Sequence, residues 1–369
     1  LPWLPDKLAE ALAVPVAALI WTLPLQLWQF GAVSPYSLPL NLLSAPLVSI
    51  ISLVGMLSAA IALVWPWLGG LIAWPLFLPT QLLLGLVEGA TRLPASSWAV
   101  GALSLWQLIV IYGLLLAIAF SSKIWPYRRP WGVVLVLVLV LPGLWHLLSR
   151  QQLTLLSAGR WPVLLLQDRE QAALVNAGEA KTVRFTLLPY LQRQSINRLD
   201  WGLSLAEKPG DGWSDLAQQV PLQQLILPQG REFPTLPAAV SRLQMQVGQD
   251  LRWRDLKLRW LSEAPELWQL DWGDQCWLWW SDPRPANWSA VDLPKTEKPC
   301  WLWFAAADLP LDWLTTVRLK GAIASAPQVN SEVIQHFRQQ GLPLYWTGQH
   351  GALIWQPRRG IQATVALPE

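Results

Sequence analysis

From Ala11 to Val87 the chain carries no Asp, Glu, Lys or Arg. A soluble fold does not cover its surface without charge over so long a run, so a membrane domain is predicted. Spanning a bilayer core takes about 20 apolar residues at 1.5 Å rise each. Five runs meet that length: Leu8–Phe30, Leu40–Trp65, Leu68–Ala90, Trp98–Phe120 and Trp131–Leu148. Pro15, Pro24, Pro46, Pro75 and Pro79 fall inside them. Proline removes a backbone donor that lipid does not replace, so neighbouring helices or a water-lined cavity must satisfy the freed carbonyl. That pattern fits a channel or transporter, and it fits ordinary kinked helices equally well.

After Arg150 the pattern shortens. Apolar runs of about five residues alternate with turns: "LTLLSAG", "WPVLLLQD", "AALVNAG", "RFTLLPYLQRQ", "LDWGLSLAE" and "LQQLILPQG". They read as strands with one or two intervening helices. "SEVIQHFRQQG" places Val333, Ile334 and Phe337 on one helical face and ends on Gly, a short amphipathic helix with its stop. An α/β domain is therefore expected over residues 151–369, after a membrane domain over residues 1–150.

Composition agrees with this division. Hydrophobic residues make up 53% of the chain and charged residues 14%, against roughly 25% in a soluble domain, and there are 27 tryptophans. Basic and acidic residues are 21 each from Gln151 onward, so the net +3 resides in residues 1–150. A neutral second half argues against whole-domain capture of nucleic acid and leaves a local patch open. Lys123, Arg128 and Arg129 in "SSKIWPYRRP" place that loop in the cytoplasm, which puts everything after Arg150 on the outer face. The chain opens on Leu1, so it is read as part of a longer product whose N-terminal signal cannot be judged. His146, His336 and His350 stand apart, and Cys276 and Cys300 form no CxxC or Cys/His cluster, which excludes a thiolate zinc site. The two cysteines are read as buried free thiols, with a disulfide as the alternative.

The stretch "PVAALIWTLPLQLWQFGAVSPYSLPLNLLSAPLVSIISLVGML" resembles the competence region of ComEC-type DNA-uptake proteins. The resemblance rests on a proline-rich helix, a loop and an Asn-Leu-Leu-x-x-Pro-Leu segment, here Asn41, Leu42, Leu43, Pro46 and Leu47. In that family these helices belong to the inner-membrane channel that admits one strand of transforming DNA. Family members typically end in a metallo-β-lactamase-like domain, whose landmarks can be followed here in order. Ser157, Ala158, Gly159, Arg160, Trp161 and Pro162 stand where the family has Asp-Val-Gly-Gln-Gly-Asp. Asn176 replaces the Asp of Leu-Ile-Asp-x-Gly. Ser204, Leu205, Ala206, Glu207, Lys208, Pro209 and Gly210 occupy the Ser-His-x-Asp-x-Asp-His loop. Asp282 in "CWLWWSDP" takes the place of a bridging carboxylate, and Ala306 and Ala307 stand where two histidines belong. "GLPLYWTGQHGALIW" resembles the closing strands.

The resemblance thus implies an αββα sandwich of metallo-β-lactamase type after a polytopic α-helical membrane domain of about five helices. Its loop looks like a metal loop without ligands. Hydrolytic metal sites need imidazoles and carboxylates, and Leu205, Pro209 and Gly210 supply neither. The implied function is passage of DNA through the cytoplasmic membrane, with no cofactor and a second domain that guides or supports and does not hydrolyse. The implied partners are membrane lipid, single-stranded DNA, other competence proteins and further copies of the chain. A nuclease with ligands from unexpected positions and a transporter of another solute are the alternatives.

Other residues are candidates on their own chemistry. Glu88 and Arg92, four apart, form either a pore mouth or an interfacial pair, the latter favoured. Asn41 and Gln81 are amides within apolar spans, which face a water-filled path or bond across helices. "LRWRDLKLRW" sets Arg252, Arg254, Lys257 and Arg259 beside Trp253 and Trp260, the pairing of cations and rings that holds single-stranded DNA. The same alternation describes a solvated strand face, which is the favoured reading. No nucleophile-elbow sequence supports a Ser-His-Asp triad.

Overall fold

The structure, a computed structural model, describes residues 6–93, 96–120, 133, 136–137, 151–156, 162–205, 211–263, 266–280, 298–305, 307–314 and 317–364. The chain forms two units. Unit 1 comprises Leu1–Trp145 with Pro189–Asn197, and unit 2 comprises His146–Leu188 with Arg198–Glu369.

Unit 1 is built on α1 (Asp6–Phe30), β1 (Ala32–Val33), α2 (Ser37–Ala62), α3 (Pro66–Ala73), α4 (Phe77–Thr91), β2 (Trp98–Ala99) and α5 (Leu105–Phe120). Three stretches, Ala13–Phe30, Ser37–Ala62 and Pro66–Thr91, are long and apolar enough to cross a membrane. Their buried shares are 11%, 6% and 0%, so nearly all of this apolar surface faces outward. Water does not tolerate a patch of that extent, whereas lipid does. Pro15 and Pro24 lie inside α1 and Pro46 inside α2, whereas the others are absorbed at helix starts and turns. Pro66 opens α3, Pro75 sits in a 3₁₀ turn (Trp74–Leu76) before α4, and Pro79 falls in the first turn of α4, where an amide donor is not needed.

The fourth expected span is shorter than its apolar run. Trp98–Ala99 leaves the helix to pair with Ala32–Val33, and only Leu105–Phe120 is helical. The fifth, Trp131–Leu148, lies outside the described residues except for Val133, Val136 and Leu137, which are helical.

A segment from the second half of the sequence completes this small two-stranded sheet. The Asn197 amide accepts from Ala99 N and donates to Ala99 O, both at 2.7 Å, as a neighbouring strand would. Ser195 Oγ donates to Val100 O at 2.8 Å, and Arg193 Nη1 donates to Gln29 O at 3.2 Å. The contact is close enough to require glycine twice. A Cβ at Gly31 would meet the Arg193 backbone, and one at Gly101 would meet Ser195 Oγ. Both glycines also hold positive φ, +69° and +99°.

Unit 2 is two mixed sheets face to face. The first sheet contains β3 (Gln151–Leu156), β4 (Val163–Asp168), β5 (Gln171–Val175), β6 (Leu199–Leu203), β7 (Leu222–Pro228) and β8 (Ser241–Met245). The second contains β9 (Asp250–Trp253), β10 (Leu256–Ser262), β11 (Leu267–Trp272), β12 (Gln275–Trp280), β13 (Cys300–Phe304), β14 (Leu319–Ala324) and β15 (Leu344–Trp346). The chain then returns to the first sheet with β16 (Leu353–Gln356) and β17 (Gly360–Ala363). Strand order is β17-β16-β3-β4-β5-β6-β7-β8 in one sheet and β15-β14-β13-β12-β11-β10-β9 in the other. Each sheet is antiparallel in one half and parallel in the other, and helices make the crossovers β5–β6, β6–β7, β13–β14 and β14–β15.

"RFTLLPYLQRQ", expected among the strands, is helical. Ala180–Thr182, a π-helical turn (Val183–Leu187) and α6 (Leu188–Arg193) run as one helix between β5 and β6. The crossover between two parallel strands demands it, and the apolar periodicity of so short a run does not separate strand from buried helix. With α7 (Gly212–Gln219), whose Trp213 covers Gly202 of β6, it covers the outer face of the first sheet. The outer face of the second sheet packs on α8 (Leu311–Leu314) and α9 (Ser331–Gln339) through Leu314, Val333 and Phe337. The α9 helix is the one expected from its periodicity, and Asn330 caps it by accepting from Glu332 N at 3.3 Å. The whole is the expected αββα sandwich.

Tryptophan explains the inner layer. Strand alternation sends Trp260, Trp268, Trp272, Trp277, Trp279 and Trp303 into the space between the sheets. Trp260 stacks on Trp268 at 5.3 Å, and Trp279 meets its parallel neighbour Trp303 at 4.2 Å. Cys276 and Cys300 are in register on adjacent strands β12 and β13 and form a disulfide, with Cα atoms 4.5 Å apart. This corrects the reading as free thiols. Strand adjacency, which a sequence separation of 24 conceals, brings them together. Reduction, or Cys300→Ser, is expected to lower the stability of unit 2 by about 3 kcal/mol, roughly 6–12 °C in Tm. Thermal unfolding of the detergent-solubilised chain with and without reductant checks this, and coincident curves would contradict it.

Candidate functional site

The sandwich brings together two of the positions that the resemblance aligns with metal ligands, Asn176 and Leu205. Asn176 follows β5 and Leu205 follows β6, at neighbouring strand ends of one sheet. Asn176 holds a left-handed φ of 55°, which its short amide tolerates. Its Oδ1 accepts from Leu205 N at 2.8 Å, and its Nδ2 donates to Pro162 O at 3.3 Å. Its own backbone N donates to Leu203 O at 2.8 Å. The side chain is 4% exposed and stitches three strand ends. An amide does this because it both donates and accepts, and a carboxylate does not.

Leu205 is buried with its side chain in the core between the sheets. Its carbonyl accepts from Arg231 Nη1. The other terminal nitrogen of that guanidinium donates to Glu266 Oε2 at 2.9 Å, and Glu266 Oε1 accepts from Trp268 Nε1 at 3.3 Å. Both side chains of the pair are largely buried, at 17% and 7% exposure. Arg231 follows β7 in the first sheet and Glu266 precedes β11 in the second, so the pair ties the two sheets beside Leu205. Sequence reading misses both residues, since each is a lone charge in an unremarkable turn and only the sandwich makes them neighbours.

The described residues alone do not supply the donor set of a hydrolytic metal. Among the described residues no three of His, Cys, Asp and Glu are grouped to hold an ion. Leu205 has no donor, and the Asn176 oxygen is already engaged. Ala307 contributes its carbonyl to Asn330 N at 2.8 Å. Ser157, Glu207, Pro209, Gly210, Asp282 and Ala306 lie outside the described residues. His336 bonds Gln340 on its own helix, and His350 packs against Tyr345 and Trp346.

The basic stretch divides by strand alternation. Trp260 is buried on Trp268, and Trp253 meets Trp201 edge-on at 5.7 Å, so both rings turn inward. Arg252, Lys257 and Arg259 face outward with Asp250, and Arg254 lies in the β9–β10 turn. Asp250 pairs with both Arg259 and Lys257. The Arg259 guanidinium first, then the Lys257 ammonium, hold its carboxyl well below the usual carboxylate range. Near neutral pH the trio therefore stays paired. Arg252 and Arg254 are exposed without an acidic partner among the described residues. The structure thus separates the cations from the rings with which they alternate in sequence.

In unit 1, Asn41 lies in the first turns of α2, where its carbonyl accepts from Ser44 Oγ at 3.3 Å, and Pro46 follows within the same helix. Gln81 lies on α4, and Glu88 and Arg92 mark its C-terminal end. All five are exposed.

Residues 1–125 match the family described as Competence protein. No curated protein matches the chain. Similar solved structures include a Cronobacter sakazakii metallo-β-lactamase with a HARLDQ motif, at 12% identity over 33% of this chain and 53% of that one, TM-score 0.27. A mutant CmlA β-hydroxylase is 10% identical over 56% of this chain and 54% of that one, TM-score 0.38. Zn²⁺-bound PqqB from Methylobacterium extorquens is 11% identical over 49% of this chain and 82% of that one, TM-score 0.37. The chain spans about half the length of the first two, and likenesses of this size carry no chemistry to it. The match to the Competence protein family covers residues 1–125, where the proline-rich helices and the Asn41-to-Leu47 segment lie, about a third of the chain.

Proposed function

We propose that the chain is an inner-membrane conduit component for transforming DNA, and that its sandwich supports or guides the strand without hydrolysing it. The competence match over residues 1–125 carries the first part. The Asn176–Leu205 hydrogen bond, made where ligands would converge, supports the second. Exposed amides at Asn41 and Gln81 on otherwise apolar helices need partners that lipid does not offer. Further copies of the chain or a watered path between copies would supply them. Arg252 and Arg254 are the cations left free to track phosphates, with other competence proteins delivering the strand.

In this reading the apolar helices cross the membrane several times and the sandwich lies on the outer face. Lys123, Arg128 and Arg129 support that orientation. So does the Cys276–Cys300 disulfide, which persists on the oxidising side of a bacterial inner membrane.

Labelled DNA distinguishes the alternatives. With the gene removed, surface-bound DNA is expected to persist while nuclease-protected DNA disappears. Unchanged protected DNA would reject the conduit and favour transport of another solute. Metal retained after dialysis, with DNA cleavage lost on Glu207→Ala plus Asp282→Ala, would establish a nuclease with non-standard ligands.

A further inference from the structure

Helix α4 carries its polar residues on one face. Gln81, Gly85, Glu88 and Arg92 follow one another at spacings of four, three and four, with Leu78 one turn earlier and Gly89 beside them. Such spacing sets them in one stripe along the helix, and all six are exposed. Leu83, Leu86 and Ala90 form the less exposed opposite side, and α2 is the helix on which α4 packs. The stripe therefore points away from that neighbour.

Lipid suits Leu82, Leu84 and Val87 on the flanks of this helix, and it does not suit the stripe. The stretch Pro66–Thr91, to which α4 belongs, is long and apolar enough to cross a membrane. Gln81 lies ten residues before its end, about 15 Å along the axis at 1.5 Å per residue, so its amide sits deep in the span. Among the described residues the side chains of Gln81, Glu88 and Arg92 have no hydrogen-bond or ion-pair partner. An unpaired amide in hydrocarbon, with an acid and a base left unpaired near its edge, is costly, and a facing protein surface removes the cost.

The stripe is shaped for a helix and is complementary to itself. A Cβ on Gly85 or on Gly89 would meet nothing within 4 Å, so neither glycine serves to admit a neighbour from the same chain. Two glycines four apart on an apolar helix let the backbone of a second helix approach closely. An amide both donates and accepts, so Gln81 pairs with another Gln81. Glu88 and Arg92 offer one charge of each sign a turn apart, so each meets its opposite on a second copy. Two copies in one membrane share an orientation, and a two-fold axis along the membrane normal sets their α4 helices parallel with like residues level.

We infer that two copies of this chain dock along the α4 stripe, parallel and in register, with Gln81 paired to Gln81 and Glu88 to the second copy's Arg92. The inference deepens the conduit reading by giving the face through which copies meet, and it rests on the apolar helices crossing the membrane. Leu78→Cys, Gly85→Cys, Val87→Cys and Leu53→Cys, each made alone in the full chain and oxidised with copper phenanthroline in bacterial membranes, test it. The native cysteines are joined to each other and take no part. Leu78 and Gly85 lie on the stripe, whereas Val87 is exposed on a flank of α4 and Leu53 on α2. Disulfide-linked dimer at 78 and 85 is expected several-fold above that at 87 and 53. Adding Gln81→Leu to the Leu78→Cys chain is expected to lower it several-fold. Release of the chain by alkaline carbonate would overturn the membrane reading and this inference with it. A chain that stays in the membrane, with dimer absent or equal at all four positions, overturns the docking alone. Dimer that Gln81→Leu leaves unchanged overturns the amide pairing, and a cross-linked product of another mass gives the face to a different protein.

Discussion

Glu266→Ala is expected to destabilise unit 2 by about 3 kcal/mol, a drop of roughly 6–12 °C in Tm. The cost comes less from the lost attraction than from what remains. Arg231 keeps its charge at 17% exposure with its main counter-ion gone, and Trp268 Nε1 loses its acceptor. The pair is costly to break and not especially favourable to own, because two desolvated ions roughly repay their own burial. Replacing both, Arg231→Met with Glu266→Leu, is therefore expected to recover most of the loss. Thermal unfolding of the two single variants and the double in detergent gives the coupling. Additive losses, with no recovery in the double, would show that the pair is not what ties the sheets at this end.

Asn176→Asp is expected to cost about 2–3 kcal/mol and to bring no metal. The change restores the residue type of the family's motif, so it separates a vacated site from a dormant one. Buried as it is, a carboxylate there still accepts from Leu205 N, but it faces Pro162 O with no proton to donate. The sign with pH follows. Burial without a compensating cation raises the folded-state pKa of the new acid above its unfolded value of about 3.9. The folded state then binds the proton more tightly, so stability relative to the parent falls as pH rises from that value. The deficit should be largest near neutrality and shrink in acid. Unfolding curves across pH, with zinc added and with zinc chelated, check both points. A zinc-dependent rise in Tm, with bound metal after dialysis, would mean that a site survives.

Both effects arise from contacts between residues distant in sequence, and this limits what could be read beforehand. Asn176 was recognisable as a departure from a motif, but its use as a stitch depends on where β4 and β6 end. Arg231 and Glu266 carry no local signal. The basic run from Leu251 to Trp260 was legible as alternation, and alternation correctly put Leu256, Leu258 and Trp260 inside. What it did not show was Asp250, nine residues before Arg259, folding across the hairpin to occupy two of the cations. The helical crossover after β5 was missed because eleven residues of mixed apolar texture suit either a strand or a buried helix.

By itself the sequence determined the broad division of this protein. A charge-free run of apolar residues has one stable setting, and alternating short runs have another, so solvent preference alone separates a lipid-facing first part from a sandwich. Motif order carried the competence resemblance, and the replacement of its histidines by Leu205, Gly210, Ala306 and Ala307 was visible letter by letter. The tertiary structure decided what depends on adjacency. It paired Cys276 with Cys300, turned the tryptophans inward as a layer, bonded Asn176 and Arg231 to Leu205 at the end of β6, and gave residues 189–197 to unit 1. Each is a contact whose partners are fixed by strand order and register, and neither composition nor periodicity encodes which strand lies beside which.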